Sequence, residues 1–297
     1  MTTIRRSAHF VPGANEKMLT KSLGTEADAL ILDLEDAVTP ENKGSARTTV
    51  AGWLGDVDFG NQERVVRMNP LDTDWGVADL EETMVNPPDA YLVPKVNNRA
   101  EIERIDGILT RLEAEHGHEQ GTAKLLVLGT ETPQGLLNIA NLAGHPRVDA
   151  LTWGAEDLAA ALGSKRNRNE DGSYLEVFAY ARVMCLLGAA AWNKQPLDTV
   201  FVDFRDPDGL RAECLNSAAM GFTGKITIHP DQIAVVNEAF TPSDAEVGEA
   251  RELLALFAEN EAQGRMAFSF KGQMVDVPHL TQARKIVALA ERLEAQR

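Results

Sequence analysis

Residues 29–47 read ALILDLEDAVTPENKGSAR and contain one complete unit of the pattern on which the predicted architecture depends. The apolar run ALILDL (29–34) is typical of a strand that is covered on both faces, as in a parallel sheet. The acidic residues Glu35 and Asp36 follow it, and Pro40 then begins an amphipathic segment that predicts a helix. The stretch therefore predicts a strand, a polar turn and a helix in succession.

Seven further runs have the same apolar character and are separated by amphipathic segments. They are SAHFV (7–11), RVVRM (64–68), AYLVPKV (90–96), KLLVLG (124–129), ALTWG (150–154), TVFVDF (199–204) and KITIH (225–229). Eight strands that alternate with helices predict an α/β fold, a (β/α)8 TIM barrel, which typically takes about 250 residues. A doubly wound open sheet stays possible at this point, because periodicity does not show that a sheet closes.

The chain continues beyond the eighth strand with more than a barrel needs. We expect residues 1–240 to form the catalytic barrel and residues 241–297 to form a C-terminal lid extension of helix, hairpin and helix. Ser243 is the predicted N-cap of the first helix, and Lys271-Gly272 is the predicted hairpin turn. The extension has too little core to stand alone, so we expect it to pack on the barrel or on a neighbouring subunit.

Composition excludes several classes of function. The 297 residues carry a net charge of −16, which disfavours nucleic acid as a partner. No apolar run approaches the roughly 18 residues of a membrane span, and the first residues lack the apolar core of a signal peptide. Cys185 and Cys214 lie in helix-like stretches and are expected to be buried, reduced thiols. Together these features predict a cytoplasmic enzyme.

Charged and polar side chains are concentrated where the predicted strands end, which is where TIM barrels carry their chemistry. They are Asp33, Glu35 and Asp36 after the second strand, Arg67 and Asn69 after the third, Lys95 after the fourth, Glu131 after the fifth, Glu156 and Asp157 after the sixth, Asp203, Arg205 and Asp206 after the seventh, and His229 after the eighth. This clustering is the main indication of an active site.

Glu131 and Asp157 lie one predicted βα unit apart and should project from neighbouring strands. Two converging carboxylates suit Mg2+, which accepts one or two protein carboxylates and completes its octahedron with water and substrate oxygens. The alternative is that each carboxylate caps the helix that follows it, and spacing alone leaves both open. Arg67 is a candidate for gripping a substrate carboxylate or an enolate, and it is equally able to pair with Glu35 or Asp36.

The sequence resembles the citrate lyase β-subunit-like (CitE-like) family of the HpcH/HpaI aldolase superfamily, in the branch that holds malyl-CoA and citramalyl-CoA lyases. The resemblance rests on RRSAHFVPGAN, LILDLEDAVTPENKGSAR, VVRMNP, PKVNN, GTETPQGLLN, LTWGAEDLAAALG, GFTGKITIHPDQIAVVNEAFTPS and KGQMVDVPHLTQA. These motifs follow one another from residue 5 to about residue 284, so the resemblance covers nearly the whole chain.

The resemblance implies a (β/α)8 barrel that forms a homotrimer and uses Mg2+, with Mn2+ as an alternative ion, and a CoA thioester as substrate. Glu131 of GTET and Asp157 of GAEDL match the metal-binding carboxylates of the family. Arg67 of VRMNP matches the arginine that contacts the substrate carboxylate and carbonyl. Glu35 and Asp36 of LDLED match the acidic pair beneath that arginine, and both are predicted catalytic residues with it.

Two further parts of the chain are expected to bind the thioester. Asp276 of VDVPH matches the lid aspartate that reaches the active site of a neighbouring subunit, and it is a predicted catalytic residue. The turn VPGANEK (11–17) joins the first strand to a helix and offers backbone N–H groups to a phosphate, so Phe10, Pro12 and Lys17 are predicted substrate-binding residues. We also expect the basic residues Arg5, Arg6 and Lys21 to line the approach of CoA.

The function expected from these residues is Mg2+-dependent retro-Claisen cleavage of malyl-CoA or citramalyl-CoA to acetyl-CoA plus glyoxylate or pyruvate. One alternative is a malyl-CoA thioesterase or a malate synthase-like activity in the same site. Another is a citrate lyase β-subunit that works with an acyl-carrier partner. The acyl chain is not predicted, because the loop GSKRNRNEDGS (163–173) matches no substrate-binding pattern of the family.

Overall fold

The computed structural model describes residues 3–296, which form two compact units that divide between Asn237 and Glu238. Eight parallel strands of the first unit hydrogen-bond in chain order and close into a barrel, with β1 paired to both β2 and β8. The strands are β1 (Ser7–Pro12), β2 (Ala29–Asp33), β3 (Glu63–Arg67), β4 (Ala90–Val93), β5 (Lys124–Leu128), β6 (Val148–Thr152), β7 (Gln195–Asp198) and β8 (Gly224–Thr227). The predicted TIM barrel is therefore confirmed, and the open sheet is excluded.

The helices alternate with these strands along the chain. They are α1 (Glu16–Leu23), α2 (Lys43–Asp56), α3 (Gly76–Thr83), α4 (Arg99–His116), α5 (Pro133–Ala143), α6 (Ala155–Leu162), α7 (Glu176–Ala191), α8 (Pro207–Met220) and α9 (Asp231–Ala239). Local signals set several of their ends: Asn98 caps α4, and Thr132 caps α5 by accepting a hydrogen bond from the Gly135 N–H. Among the described residues, no helix combines the length and the apolar character needed to cross a bilayer.

The interior of the barrel is filled by apolar side chains from alternate positions of the strands. They include Ala8, Ala29, Ile31, Val65, Ala90, Leu92, Leu126, Leu128, Ala150, Leu197 and Ile226. Asp33 and Arg67 continue two of these inward-facing rows at the carboxyl ends of β2 and β3. The barrel therefore carries a packed apolar core with a charged layer at its carboxyl end.

The amino end of the barrel is closed by a buried ion pair. Arg5 is 1% exposed, and its guanidinium bonds both carboxylate oxygens of Glu63, at 2.5 and 2.6 Å. Asp149 and Gln195 accept further hydrogen bonds from it. Arg6 pairs with Asp28 at the start of β2. The expectation that Arg5 and Arg6 line the approach of CoA is wrong, because both lie at the end of the barrel opposite the charged layer.

The prediction of the seventh strand is also wrong. Strand β7 is the short segment Gln195–Asp198, and TVFVDF (199–204) follows it as irregular chain. Asp198 is completely buried within this strand because Trp153, Arg182 and Lys225 all bind its carboxylate. Because it contains this carboxylate, β7 lacks the continuous apolar pattern that predicts a strand. The more apolar segment after it lies mostly at the surface.

The second unit contains α10 (Asp244–Ala262), the hairpin strands β9 (Phe268–Phe270) and β10 (Gln273–Val275), and α11 (Val277–Ala295). Ser243 is the N-cap of α10, as predicted, and completes a capping box with Glu246. Lys271 and Gly272 form the hairpin turn with φ values of 49° and 82°. The unit has its own small apolar core, in which Phe257 packs edge-on against Phe268.

Candidate active site

A cavity of about 530 Å³ lies at the carboxyl ends of the barrel strands. Six of the residues singled out at the strand ends line it together: Glu35, Asp36, Asn69, Lys95, Glu131 and Asp157. They follow β2, β3, β4, β5 and β6, so one end of the barrel brings them together from positions far apart in the chain. With Asp72, five carboxylates surround the cavity and give it a negative lining that the two lysines Lys43 and Lys95 offset in part.

Glu131 and Asp157 reach the cavity in different ways. Glu131 follows β5, and Thr132 caps the next helix, so the alternative that Glu131 itself caps α5 is wrong. The Glu131 carboxylate instead accepts a hydrogen bond from the backbone N–H of Lys95 at 2.7 Å. Asp157 lies in the first turn of α6, where the helix dipole also favours a negative charge. For Asp157 both alternatives hold, because it lies at the amino end of α6 and also lines the cavity.

The environment of Glu131 suits a bound cation. The residue is 2% exposed, and burial, with the charges of Asp157 and Glu35, raises the pKa of its carboxyl well above the usual value. Burial of a carboxylate among other carboxylates is unfavourable unless a positive charge compensates it. Within residues 3–296, no three Asp, Glu, His or Cys side chains converge in a geometry that could hold an ion. A pair of carboxylates is nevertheless sufficient protein ligation for Mg2+, which keeps water and substrate oxygens as its other ligands.

Arg67 is held rigidly beside the cavity. Its Nε and Nη2 atoms bind the two carboxylate oxygens of Asp33 at 2.7 and 2.6 Å, and its guanidinium lies over the Phe10 ring at 4.5 Å. Its Nη1 atom is 3.0 Å from Glu35 Oε2 and 3.6 Å from Asp36 Oδ2. Burial alone would lower the pKa of Arg67, but the bond to Asp33 and the surrounding negative charges raise it, so the residue is a permanent cation.

Glu35 is buried between two cations. Its Oε1 atom accepts a hydrogen bond from Lys95 Nζ at 2.7 Å, while its Oε2 atom has only the ionic contact with Arg67 and no hydrogen bond to a described residue. Burial raises the pKa of the Glu35 carboxyl, although Arg67 and Lys95 oppose the rise. Asp36 is more exposed and contacts the same two cations.

Asp33, Lys43 and Lys95 have roles in the site that the sequence did not predict. Asp33 is the bidentate partner of Arg67, and its inward position two residues after Ile31 on β2 was a usable signal. Lys43 is buried and donates to the backbone carbonyls of Leu34 and Glu35, which fixes the turn that carries the acidic pair. No sequence signal marks Lys43, because its role depends on how α2 returns to the barrel.

The predicted substrate-binding residues near β1 do not lie together. Phe10 faces the barrel interior against Arg67, and Pro12 ends the strand. Gly13 follows in a close approach where an added Cβ would lie 2.7 Å from the Asp33 carbonyl oxygen, so the tight turn requires glycine. Lys17 lies on the exposed side of α1, in its first turn. Phe10 thus belongs to the charged layer, whereas Lys17 is a free-standing surface cation of the rim.

The acids predicted after the seventh strand lie around a different cavity. Asp203 and Asp206 line a space of about 690 Å³ between α7, α8 and the loop that follows α6. In that loop, Arg168 lies 3.8 Å from the Tyr174 ring and pairs with Glu213 at 2.8 Å. The expectation that these acids belong to the active site is wrong, because the chain leaves the barrel earlier than predicted.

Asp276 belongs to the second unit, where it immediately precedes α11. Its carboxylate lies 2.7 Å from His279 Nδ1, and its backbone N–H donates to the same nitrogen at 3.2 Å. The Asp276 side chain is 40% exposed, so it is accessible at the surface of this unit. These contacts fix the carboxylate at the end of the hairpin.

Comparison with known proteins assigns a family to this architecture. Residues 6–230 match the model of the HpcH/HpaI aldolase/citrate lyase family, which is most of the chain and nearly all of the barrel. The match includes the residues around the candidate active site but ends before the second unit.

Proteins similar to this chain over nearly its whole length include two enzymes of acyl-CoA chemistry. A (3S)-malyl-CoA thioesterase of Cereibacter sphaeroides is 38% identical over 98% of this chain and 96% of its own length. The mitochondrial citramalyl-CoA lyase of Rattus norvegicus is 37% identical over 98% of this chain and 87% of its own length. CitE from Mycobacterium tuberculosis, solved in complex with magnesium, acetoacetate and coenzyme A, is 32% identical with a TM-score of 0.78 and covers 97% of this chain and 98% of its own.

Proposed function

The chain belongs to the HpcH/HpaI aldolase/citrate lyase family, and on that premise we propose that it is a carbon–carbon lyase of acyl-CoA thioesters. Its reaction is the Mg2+-dependent cleavage of malyl-CoA or citramalyl-CoA to acetyl-CoA and glyoxylate or pyruvate. The observation that carries this proposal is that Glu131 and Asp157 line one cavity with the acidic pair that contacts Arg67. The citramalyl-CoA lyase and the CitE complex support the same chemistry.

In this proposal Glu131 and Asp157 hold the divalent ion. A bound ion would polarise the substrate hydroxyl and its neighbouring carboxylate and make the hydroxyl more acidic. Asp36 and Glu35 contribute negative charge that keeps Arg67 oriented towards the cavity. Mn2+ has similar coordination preferences and is a suitable replacement for Mg2+ in experiments.

Arg67 stabilises the charge that develops on the keto acid as the carbon–carbon bond breaks. Because Asp33 fixes its Nε and Nη2 atoms, the guanidinium needs little reorganisation during the reaction. A preorganised donor of this kind contributes about 3–4 kcal/mol to transition-state stabilisation. Phe10 lies under the guanidinium and restricts the positions that it can take.

Asp276 closes the proton balance in this proposal. The substrate hydroxyl gives its proton to water as its oxygen becomes the carbonyl oxygen of the keto acid, and the electron pair of the broken carbon–carbon bond forms the enolate of acetyl-CoA. The Asp276 carboxyl of a neighbouring subunit donates a proton to that enolate and takes up another from water before the next turnover. In the condensation direction the Asp276 carboxylate removes the methyl proton. Pro12 and Lys17 bind the CoA portion, with Lys17 attracting a phosphate.

The test is a panel of 3-hydroxyacyl-CoA thioesters, assayed with and without Mg2+ while the released keto acid is trapped and measured. We expect malyl-CoA or citramalyl-CoA to release a keto acid only when the ion is present, and Glu131→Ala to abolish release. Full activity of Glu131→Ala, or equal rates in excess chelator, would contradict the metal assignment.

A matched pair of variants tests the role of Asp276. Asp276→Asn keeps the shape that contacts His279 but cannot transfer the proton, so turnover should fall at least about 100-fold while CoA binding is retained. Glu259→Ala removes an exposed carboxylate from α10 of the same unit and should leave turnover unchanged. Equal turnover of Asp276→Asn and the unmodified protein would remove Asp276 from the mechanism.

Hydrolysis of malyl-CoA is the second candidate, because the Cereibacter sphaeroides relative is a (3S)-malyl-CoA thioesterase. In that reaction water attacks the thioester carbonyl, and malate and free CoA are the products. Product analysis separates the two functions, since cleavage gives acetyl-CoA and a keto acid whereas hydrolysis gives neither.

We also propose that the enzyme works in the cytoplasm as a homotrimer. The two cysteines, Cys185 and Cys214, are buried and unpaired, which suits a reducing compartment. Light scattering of the purified protein would give a mass of three chains if the assembly is correct, and a monomer would contradict it.

A further inference from the structure

Lys95 contacts more of the candidate active site than any sequence signal suggested. Its backbone N–H donates to Glu131 Oε2 at 2.7 Å. Its ammonium lies 2.7 Å from Glu35 Oε1, 3.4 Å from Asp36 Oδ1 and 3.4 Å from Asp157 Oδ1. One residue therefore touches both proposed metal ligands and both members of the acidic pair.

The backbone of Lys95 is held in the left-handed region with a φ of 54°. This conformation is unfavourable for a residue with a long side chain and persists only where the surroundings impose it. Here the conformation lets the N–H point to Glu131 while the side chain extends to Glu35 and Asp157. The backbone of Lys95 thus binds one carboxylate of the cavity, and its side chain contacts others.

The ammonium changes the electrostatics of the proposed metal site. A positive charge 3.4 Å from Asp157 repels any divalent ion bound to that carboxylate. The same charge offsets part of the negative lining, which would otherwise repel the carboxylate of a keto acid or of a hydroxyacyl chain. The ammonium therefore weakens binding of the divalent ion and strengthens binding of the anionic substrate.

We propose that Lys95 is a charge-tuning residue of this site, which weakens divalent-ion binding at Glu131 and Asp157 and strengthens binding of the anionic substrate. The inference rests on the proposed function of the cavity. Its consequence is an ion that exchanges readily, together with a site that still attracts an anion. Lys95 acts through its charge on the ion and the substrate and transfers no proton.

Two substitutions separate the charge from the backbone. Lys95→Met removes the ammonium and keeps a long side chain, while Lys95→Asn removes it with a residue that tolerates positive φ. Both retain the backbone N–H that Glu131 accepts. Lys124→Met is the matched control, because Lys124 begins β5 at the opposite end of the barrel and its Nζ contacts only the Gly121 carbonyl among the contacts described.

The experiment measures Mg2+ binding by calorimetry and Mn2+ binding by electron paramagnetic resonance, with folding checked by circular dichroism. Both Lys95 variants should bind either ion about tenfold more tightly than the unmodified protein, and Lys124→Met should match it within about twofold. In the condensation assay the KM for the keto acid should rise about tenfold in both Lys95 variants, with a smaller change in kcat.

Unchanged or weakened ion binding in the folded Lys95 variants would overturn the inference, because the charge would then not oppose the ion. If either variant fails to fold, the other still measures the effect of the charge. An unmodified protein that binds neither ion would overturn both this inference and the proposed function. Ion binding by the unmodified protein without any change in the variants would overturn the inference alone.

Discussion

Replacing Glu131 by glutamine should stabilise the protein in chelator while removing its response to Mg2+. The carboxylate is 2% exposed, and its pKa is raised by burial and by the charges of Asp157 and Glu35, so the fold disfavours its anionic form at neutral pH. Glutamine keeps the shape and still accepts the Lys95 N–H through its carbonyl oxygen. Relief of a buried charge of this kind is worth about 2 kcal/mol.

A gain of this size raises the melting temperature by about 3 °C in a chain of this length, because the entropy of unfolding grows with the number of residues. The assay is thermal unfolding followed by circular dichroism, first in chelator and then in millimolar Mg2+. The unmodified protein should gain stability on adding Mg2+, because the ion binds only the folded chain. The Glu131→Gln variant should melt higher in chelator and show no further gain.

Glu113→Gln is the matched control with the opposite expected sign. Glu113 is 1% exposed on α4, and Arg147 binds both of its carboxylate oxygens. Burial alone would raise the pKa of Glu113, but these bonds lower it, so the fold favours the anion and the substitution should destabilise the protein by about 3 kcal/mol. A lower melting temperature of Glu131→Gln in chelator, or a Mg2+ response equal to that of the unmodified protein, would refute the electrostatic reasoning.

Three further outcomes are expected. Burial lowers the pKa of His9 to about 4, against about 6.5 when unfolded, so stability should fall by about 3 kcal/mol as the pH drops from 6.5 to 4, and urea unfolding of His9→Asn should show a smaller loss over that range. Asp33→Asn should free Arg67 and reduce kcat about tenfold or more with the fold retained, and an unchanged kcat would show that Asp33 does not orient it. Arg5→Met should lower the free energy of unfolding by about 3–5 kcal/mol, because it leaves Glu63 buried without its partner, and a loss below about 1 kcal/mol would contradict the importance of that pair.

The sequence was sufficient to predict the barrel because most strands are apolar on both faces. The run ALILDL and strand β2 agree to within one residue. Strand β7 was not predictable in this way, because Asp198 lies inside the strand and is neutralised by Arg182 and Lys225 from distant positions in the chain. Apolar periodicity does not register a buried carboxylate whose partners lie elsewhere in the chain.

The candidate active site was predictable in residue type but not in its internal contacts. The carboxyl ends of parallel strands meet at one edge, so Glu131 and Asp157 could be expected at the same cavity. The role of Lys95 could not be predicted, since it depends on a positive φ and on three-dimensional proximity to Glu35. Arg5 was expected to line the approach of CoA because it is basic and lies near β1. It instead pairs with Glu63 at the other end of the barrel.

The most direct test of the proposed metal site is a crystal structure of the protein grown with Mn2+, with anomalous diffraction measured at the manganese edge. We expect one strong anomalous peak within about 2.3 Å of a carboxylate oxygen of Glu131 and of Asp157, with water or substrate oxygens completing the coordination. A peak bound to Glu35 and Asp36 instead, or no peak in the cavity at saturating Mn2+, would contradict it.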